Sequence, residues 1–395
     1  SRKLKSNLPK FTLNSEYKNL LIWGEQGVGD QVLSLRFLRD VEIYTENLII
    51  KIDNRLHPII KRLDPSIEFF SSEVNLKHEA KYSLAQCQLA KSNYTEGWKN
   101  FEYRWFVNEF NSRKIRSNLP KFKLNTENKN LLVWSEQGVG DQVLFLRFLK
   151  DIENYTGNII IKIDKRLHPV IKRLDPNIKF FSYETNYKLE ANCQISLVDL
   201  ATLFLKDNSY FSKNNDKYIS GDKLLKKELK AKLKTEKKII CGLSWLSKNN
   251  EIGNNKSITL EMLKPVLSIK GITFIDLQYN DTKIEKEKFY KDNAIRINEV
   301  ETIDNFNDLN GITSLIDICD FVITVSNTNA HISGALGKKT FLLLPKGKGK
   351  LWYWSSKNNK SLWYPSVQVV EQNVAGFWDS AINKLIELVK EKVIG

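Results

Sequence analysis

The sequence predicts an α/β protein of two open Rossmann-like domains facing a cleft, preceded by a partial copy of the first and a short helical hairpin. Three observations predict it. Residues 1–80 align without gaps on residues 112–191, with 59 of the 80 pairs identical. Within each copy, apolar runs of strand length alternate with stretches of helical period, and the alternation resumes at Ile239, as a parallel sheet with crossover helices requires. The chain has 395 residues, 42% hydrophobic and 27% charged. That is enough for about two to four domains with their own cores, and it excludes disordered and collagen-like classes.

The elements follow in order. In copy two, Leu131 to Trp134 reads as a strand and Gly138-Val139-Gly140 as a turn, after which Phe145, Leu146, Leu149 and Ile152 recur at helical spacing. Asn158 to Ile163 is a second strand, Pro169 to Leu174 a short helix, and Ile178 to Phe181 a third strand, placing β-α-β-α-β in a domain at 112–222. A period of 111 residues is far longer than the roughly 20–50 of a solenoid unit, so copy one, residues 1–80, is a domain-sized piece. It lacks a counterpart of the strand Cys193 to Leu197 and has no C-terminal partner of its own. Copy two is therefore expected to pair with residues 239–375, and copy one, with its own Gly27-Val28-Gly29-Asp30, to be an accessory or relic unit.

Residues 81–111 carry Tyr94, Trp98, Phe101 and Trp105 at intervals of four, three and four, one helical face expected to pack against a neighbour. With the apolar stretch Leu84 to Leu89 they suggest a helical hairpin of tetratricopeptide type. Residues 223–238 are lysine-rich and read as a solvated linker helix. The second domain, 239–375, has strands at Ile239–Trp245, Ile272–Leu277, Phe321–Val325 and Thr340–Leu344, with helices at Ile258–Leu267, Ile312–Ile318 and Thr328–Leu336. In the C-terminal helix, 376–395, Phe377, Ala381, Ile382, Leu385, Val389 and Val393 share a face expected to pack on one of the sheets.

The charge, 61 minus 46 or +15, favours anionic partners in general. Nucleic acid is not expected, because the lysines are dispersed and no recognised motif accompanies them. Peripheral contact with an anionic membrane remains compatible with the charge. No transmembrane segment is expected, since the apolar runs have strand length rather than about 18 residues. The four cysteines are far apart and form no Cys-x-x-Cys pair, so reduced thiols and a cytoplasmic location are expected. The sequence opens on Ser1, and Met262 is its only methionine, which suggests a piece of something longer.

Chemistry concentrates at two turns. Gly138-Val139-Gly140-Asp141 has two glycines of the dinucleotide fingerprint but Val143 in place of the third, so a nicotinamide cofactor is not expected. Asp141, at the helix start, reads either as a capping residue or as a catalytic carboxylate. The second turn, Ser326-Asn327-Thr328-Asn329, opens a helix containing His331 and Gly334; its amides suit an anion, or it is an ordinary capped helix. Lys256, in the loop Ser247 to Ser257, either reaches the same crevice or lies on the surface. Lys346-Gly347-Lys348-Gly349-Lys350 lacks P-loop spacing and reads as a solvated loop or an anion attractor. No Asp-x-Asp pair and no clustered His, Cys or carboxylate ligands appear, so no metal is expected.

These residues resemble bacterial tetratricopeptide proteins whose C-terminal region is a heptosyltransferase-like glycosyltransferase, of the family 9-like, GT-B type. Glu96-Gly97-Trp98 with Phe101 to Trp105 resembles the last tetratricopeptide helix, and Glu136 to Gln142 the first glycine turn. Gly242 to Trp245, Asn255-Lys256-Ser257-Ile258, Leu277-Gln278, Thr324 to Gly337, Leu342 to Pro345 and Trp363 to Ser366 follow in the family's order, over about residues 81–395. The resemblance implies inverting, metal-independent transfer from a nucleotide sugar to an acceptor hydroxyl on a glycan or protein, with domain closure over the reactants. It implies Asp141 as the base beside the acceptor-side glycines Gly138 and Gly140. Lys256, Thr328 and His331 would bind the diphosphate and Gln278 the nucleoside. Asn327, also implied as donor-binding at a position expected to face the sugar or ribose, stands where the family usually has Asp, which removes a charge. A non-catalytic nucleotide-sugar-binding or scaffold protein with the same fold is the alternative.

Overall fold

The computed structural model describes residues 17–23, 45–63, 68–69, 73–124, 130–181, 191–213, 217–233, 239–249, 252–279 and 281–394. Gly27, Gly29 and Asp30 lie outside the described residues. The chain divides into two units, residues 1–83 with 103–108, and residues 84–102 with 109–395.

In the first unit, β1 (Tyr17–Trp23), β2 (Thr45–Lys51) and β3 (Glu68–Phe69) form a parallel sheet in the order β1-β2-β3. The helix His57–Leu63 connects the last two and buries Ile60. Copy one thus has three strands among the described residues where copy two has four.

The N-terminal lobe of the second unit contains β4 (Asn130–Trp134), β5 (Asn158–Lys162), β6 (Lys179–Phe180) and β7 (Cys193–Ser196). The order is β6-β5-β4-β7 and every pair is parallel. Leu131 to Trp134 are all buried, as an apolar run covered on both faces requires. The helix expected after β4 forms in pieces, Val139–Phe145 and Leu149–Glu153, joined by a 3-10 turn at Leu146–Phe148. Its expected face is nonetheless buried at Phe145, Leu146, Leu149 and Ile152.

The C-terminal lobe is built on β8 (Ile239–Ser244), β9 (Ile272–Asp276), β10 (Phe321–Val325) and β11 (Thr340–Leu344). A short antiparallel hairpin, β12 (Ser356–Lys357) and β13 (Lys360–Ser361), leads into β14 (Val367–Glu371). Strand order is β12-β13-β14-β11-β10-β8-β9, parallel from β14 onward. The Leu260–Leu267 helix is capped by Thr259 and the Leu309–Ile318 helix by Asp308, whose side chains accept from Met262 and Gly311 amides. A further helix, Lys283–Asn293, escapes a periodicity reading because it is charged almost all round and buries only Phe289.

Three expectations change in detail. The hairpin forms from helices Glu73–Ala90 and Tyr94–Phe101, but a 3-10 turn, Glu102–Phe106, takes Trp105 out of the aromatic face. The Lys223–Leu233 helix is docked as well as solvated, because it buries Leu229 and pairs Lys226 with Asp317 at 2.7 Å. The C-terminal helix begins only at Asp379 and packs Ala381, Ile382, Leu385 and Val389 into the core beneath the second sheet. Phe377 sits in the preceding turn, where its amide donates to the Val374 carbonyl, and is 65% exposed.

The lobes are joined by an aromatic arm from the C-terminal lobe, residues 351–365. Trp363 meets the rings of Phe145, Phe148 and Phe211, with centroids 5.2–6.3 Å apart. Arg147 donates from Nη1 to the Trp363 carbonyl at 2.8 Å and lies over the Trp363 and Tyr364 rings. Trp352 packs edge-on against Trp98 of the hairpin, whose indole N–H donates to the Leu205 carbonyl. Replacing Trp363 by Ala leaves a cavity in this cluster. Urea denaturation is expected to show a loss of about 3–5 kcal/mol, the range for truncating a buried Trp or Phe.

Candidate functional site

The parallel strands of each lobe of the second unit reverse their order at one place, and open α/β sheets bind ligands at the carboxyl ends of the strands there. In the N-terminal lobe the reversal falls between β4 and β7, spanned by the Ser196 hydroxyl donating to the buried Glu136 carboxylate at 3.1 Å. In the C-terminal lobe it falls between β8 and β10, spanned by Asn327. The Asn327 side chain accepts from the Asn329 and Ala330 amides and from the Thr324 hydroxyl, which makes it the cap of the Thr328–Ala335 helix. Its Nδ2 donates to Ser244 Oγ at 2.7 Å and to the Leu246 carbonyl at 3.1 Å.

Gln278 completes this network. Its Oε1 accepts from the Trp245 and Leu246 amides, each at 2.9 Å, and from the Ser244 hydroxyl. The residue therefore braces the turn after β8. It also lines a cavity of ≈ 520 Å³ with Tyr279, Thr282, Val300, Ile303 and Phe306. Thr282 is 5% exposed, and its hydroxyl has no hydrogen-bond partner among the described residues. From the other lobe, Arg166, held by Asp164, donates to the Phe306 carbonyl at the rim of this cavity at 2.9 Å.

The glycine turn and the Thr328 turn meet. The Val139–Phe145 helix starts against the Thr328–Ala335 helix so closely that a Cβ on Gly140 would lie 2.9 Å from His331 Cδ2 and 3.5 Å from Thr328 Cα. Only glycine permits that approach. Asp141, one residue on, is half-buried. Burial pushes its carboxyl up to about 6, while the nearby Tyr353 hydroxyl and the Lys256 charge oppose the rise. Gly138, the residue capping this helix, is exposed and offers no side-chain acceptor.

Lys256 is 4% exposed. Burial lowers its ammonium from the ordinary lysine value, and the Asp141 charge opposes that. Gly349, at φ +97°, lays the lysine–glycine loop over the Lys256 stem: a Cβ there would lie 3.1 Å from Lys256 Cγ. Of that loop's lysines, Lys346 donates to the Asn373 carbonyl and Lys350 pairs with Glu371 at 2.7 Å. His331 is buried against Trp354, ring centroids 4.8 Å apart, with Nδ1 3.1 Å from the Tyr364 hydroxyl. Burial first, and then the Lys256 charge, push its imidazole down to about 3, so it is neutral at physiological pH.

The structure thus gathers Gly140, Asp141, Lys256, Thr328 and His331 at the meeting of the lobes, with Asn327 as their scaffold. Gln278 stands one hydrogen-bond link away, through Ser244. Two of the amides expected to cradle an anion, those of Asn329 and Ala330, already donate to Asn327. Sequence reasoning missed Tyr353 and Trp354, and gave Tyr364 only as part of the segment Trp363 to Ser366, with no role; the aromatic density of residues 352–364 was the available signal. Among the described residues no three His, Cys, Asp or Glu side chains group as a metal site, and no helix is long and apolar enough to cross a membrane.

No family model matches the chain. It is 24% identical over 345 residues to Protein FlbA of Caulobacter vibrioides, covering 79% of this chain and 55% of FlbA. The chain thus spans about half the length of the curated relative it matches. A solved glycosyltransferase family 9 structure from Veillonella parvula is similar at 12% identity and TM-score 0.49, over 69% of this chain and 99% of that one. Escherichia coli heptosyltransferase WaaC with ADP is similar at 10% identity and TM-score 0.39, over 66% of this chain and 99% of WaaC. At these values the likenesses bear no weight on activity. The α/β fold with two parallel sheets stands on this chain's own strand order.

Asn327 supplies a donor that an aspartate cannot. Asn327→Asp keeps the acceptor for the helix cap but turns a carboxylate oxygen toward the Leu246 carbonyl. Urea denaturation is expected to show a loss of about 1–3 kcal/mol, the cost of an unsatisfied buried acceptor.

Proposed function

We propose that the protein is a glycosyltransferase, moving a sugar from a nucleotide-sugar donor to an acceptor hydroxyl on a glycan or protein, inverting and without a metal. The observation that carries this reading is the meeting of Asp141 and buried Lys256 beside the Thr328 turn, one from each lobe. The nucleoside enters the cavity beside Gln278, where Val300, Ile303 and Phe306 offer apolar surface to a base among carboxylates that include Glu299, Glu301 and Asp304. The diphosphate lies at Lys256 and the Thr328 turn. Asp141, with its carboxyl near 6, is ionised at neutral pH yet still basic enough to draw a proton.

In the transfer, the acceptor hydroxyl gives its proton to Asp141 as its oxygen bonds to the anomeric carbon. The bond from that carbon to the diphosphate breaks, and its electron pair leaves with the phosphate. Lys256 stabilises the charge that develops on the leaving group, in a site where burial strengthens the interaction. A single displacement inverts the anomeric carbon. The hairpin Glu73–Phe101, as the last repeat of a tetratricopeptide stretch, and a cytoplasmic location, consistent with cysteines that form no disulfide among the described residues, belong to the same proposal.

One observation favours the second reading, a nucleotide-sugar-binding or scaffold protein without transfer: Asn327 and two of the turn's amides are committed to the helix cap. A panel of nucleoside diphosphates and their sugars separates the readings. Both predict a raised melting temperature; only the enzyme consumes donor when acceptor is present. Because the Asp141 carboxyl lies above its ordinary value, kcat/KM is expected to fall as pH drops through about 6 and to level off above it. Asp141→Asn should lower turnover by roughly 100-fold or more, and Asp30→Asn should leave it nearly intact.

A further inference from the structure

Residues 304–306 form one wall of the cavity beside Gln278, and that wall is tied from two sides. Within its own lobe, Asp304 accepts from the Phe306 and Asn307 amides, each at 2.9 Å, and the Asn305 side chain donates to the Asp276 and Gln278 carbonyls, each at 3.1 Å. The outer tie comes from the N-terminal lobe. Arg166 Nη1 donates to the Phe306 carbonyl at 2.9 Å, and its Cζ lies 5.0 Å from the centre of the Phe306 ring. Its remaining nitrogens, Nε and Nη2, hold the Asp164 carboxylate at 2.9 and 2.8 Å. Each guanidinium nitrogen therefore has its own acceptor, which fixes the plane of the fork.

Copy one shows that the fork itself is local. There Arg55 holds Asp53 in the same way, Nε and Nη2 each at 2.9 Å, yet its side chain is 75% exposed, against 23% for Arg166. The Asp-x-Arg sequence makes the fork in both copies, and copy two turns it onto the cavity rim. Asp164 is linked toward the other reactant as well. Its amide donates at 3.0 Å to the side chain of Gln142, the residue after Asp141.

We infer that Arg166 is a positioning residue for the donor nucleoside: from the lobe that carries Asp141, it holds the rim of the cavity in the opposite lobe. This rests on the reading that the nucleoside enters that cavity. Without the Arg166 bond the turn keeps its inner ties but gains freedom at the rim. A smaller fraction of molecules then presents the cavity in its binding shape, and the apparent affinity falls by that fraction. The phosphate end of the donor, at Lys256 and the Thr328 turn, is held by other residues and does not depend on the rim.

Arg166→Met tests this, because it removes the fork and keeps an unbranched stem beside Phe306. Isothermal titration calorimetry of the full chain with ADP, GDP, CDP and UDP, and separately with inorganic pyrophosphate, reads the two ends of the donor. The tightest-binding nucleoside diphosphate is expected to lose about fivefold or more in affinity, with pyrophosphate changed by less than about twofold. Arg166→Lys keeps the charge but offers one nitrogen where the fork uses three, and is expected to lose affinity in the same way. Arg55→Met, the matching change in copy one, leaves both ligands unaffected. An unmoved nucleoside diphosphate Kd in Arg166→Met overturns the assignment. So does a pyrophosphate Kd that rises in step, since that marks general damage to the fold. Failure of the unmodified chain to bind any of the four nucleoside diphosphates would instead overturn the cavity reading, and this inference with it.

Discussion

The site depends on the burial of the aromatic arm at residues 351–365 between the two lobes. Each lobe has its own mainly parallel sheet and core and would ordinarily be free to move against its neighbour across a polar interface. Here Trp363 fills a pocket of Phe145, Phe148 and Phe211, and Arg147 ties its backbone to the other lobe. What the second unit contains is a joint made largely of tryptophan and phenylalanine, in which small sliding would break many aromatic contacts at once. The same arm carries Tyr353 and Trp354, so the element that fixes the lobes also builds the wall beside Asp141.

Burial then sets the charges. A carboxyl taken out of water rises, an ammonium falls and an imidazole loses its proton, and Asp141, Lys256 and His331 each move in that direction. Asp141 and Lys256 partly offset one another's desolvation, while neutral His331 adds no second cation. The outcome is one negative and one positive group on opposite lobes. That pairing suits a proton acceptor on one side and a phosphate on the other.

Much of the fold was legible because it is local. The apolar runs became β4, β8, β10 and β11 nearly residue for residue, and both helix-opening turns sit at the strand ends where the sequence placed them. What the sequence concealed depends on distant partners. Asn327 read as a missing charge, whereas its value lies in an amide that bridges the helix cap to Ser244 and Leu246, more than 80 residues earlier. Lys283–Asn293 has no apolar stripe to reveal it, and Phe377 continues a helical period through a turn that is not helical. Tyr353 was hidden for the opposite reason: it lies among so many aromatic residues that packing was the natural expectation for all of them.

The central claim is that a nucleotide sugar lies with its phosphates between Lys256 and the Thr328 turn and its sugar toward Asp141. A crystal structure of the chain with a nucleoside diphosphate sugar tests it most directly. The account predicts a phosphate oxygen about 2.7–3.2 Å from Lys256 Nζ, the base in the cavity beside Gln278 and Thr282, and the anomeric carbon facing the Asp141 carboxylate. A nucleotide bound elsewhere, or one whose phosphates make no contact with Lys256 while the sugar points away from Asp141, would contradict it.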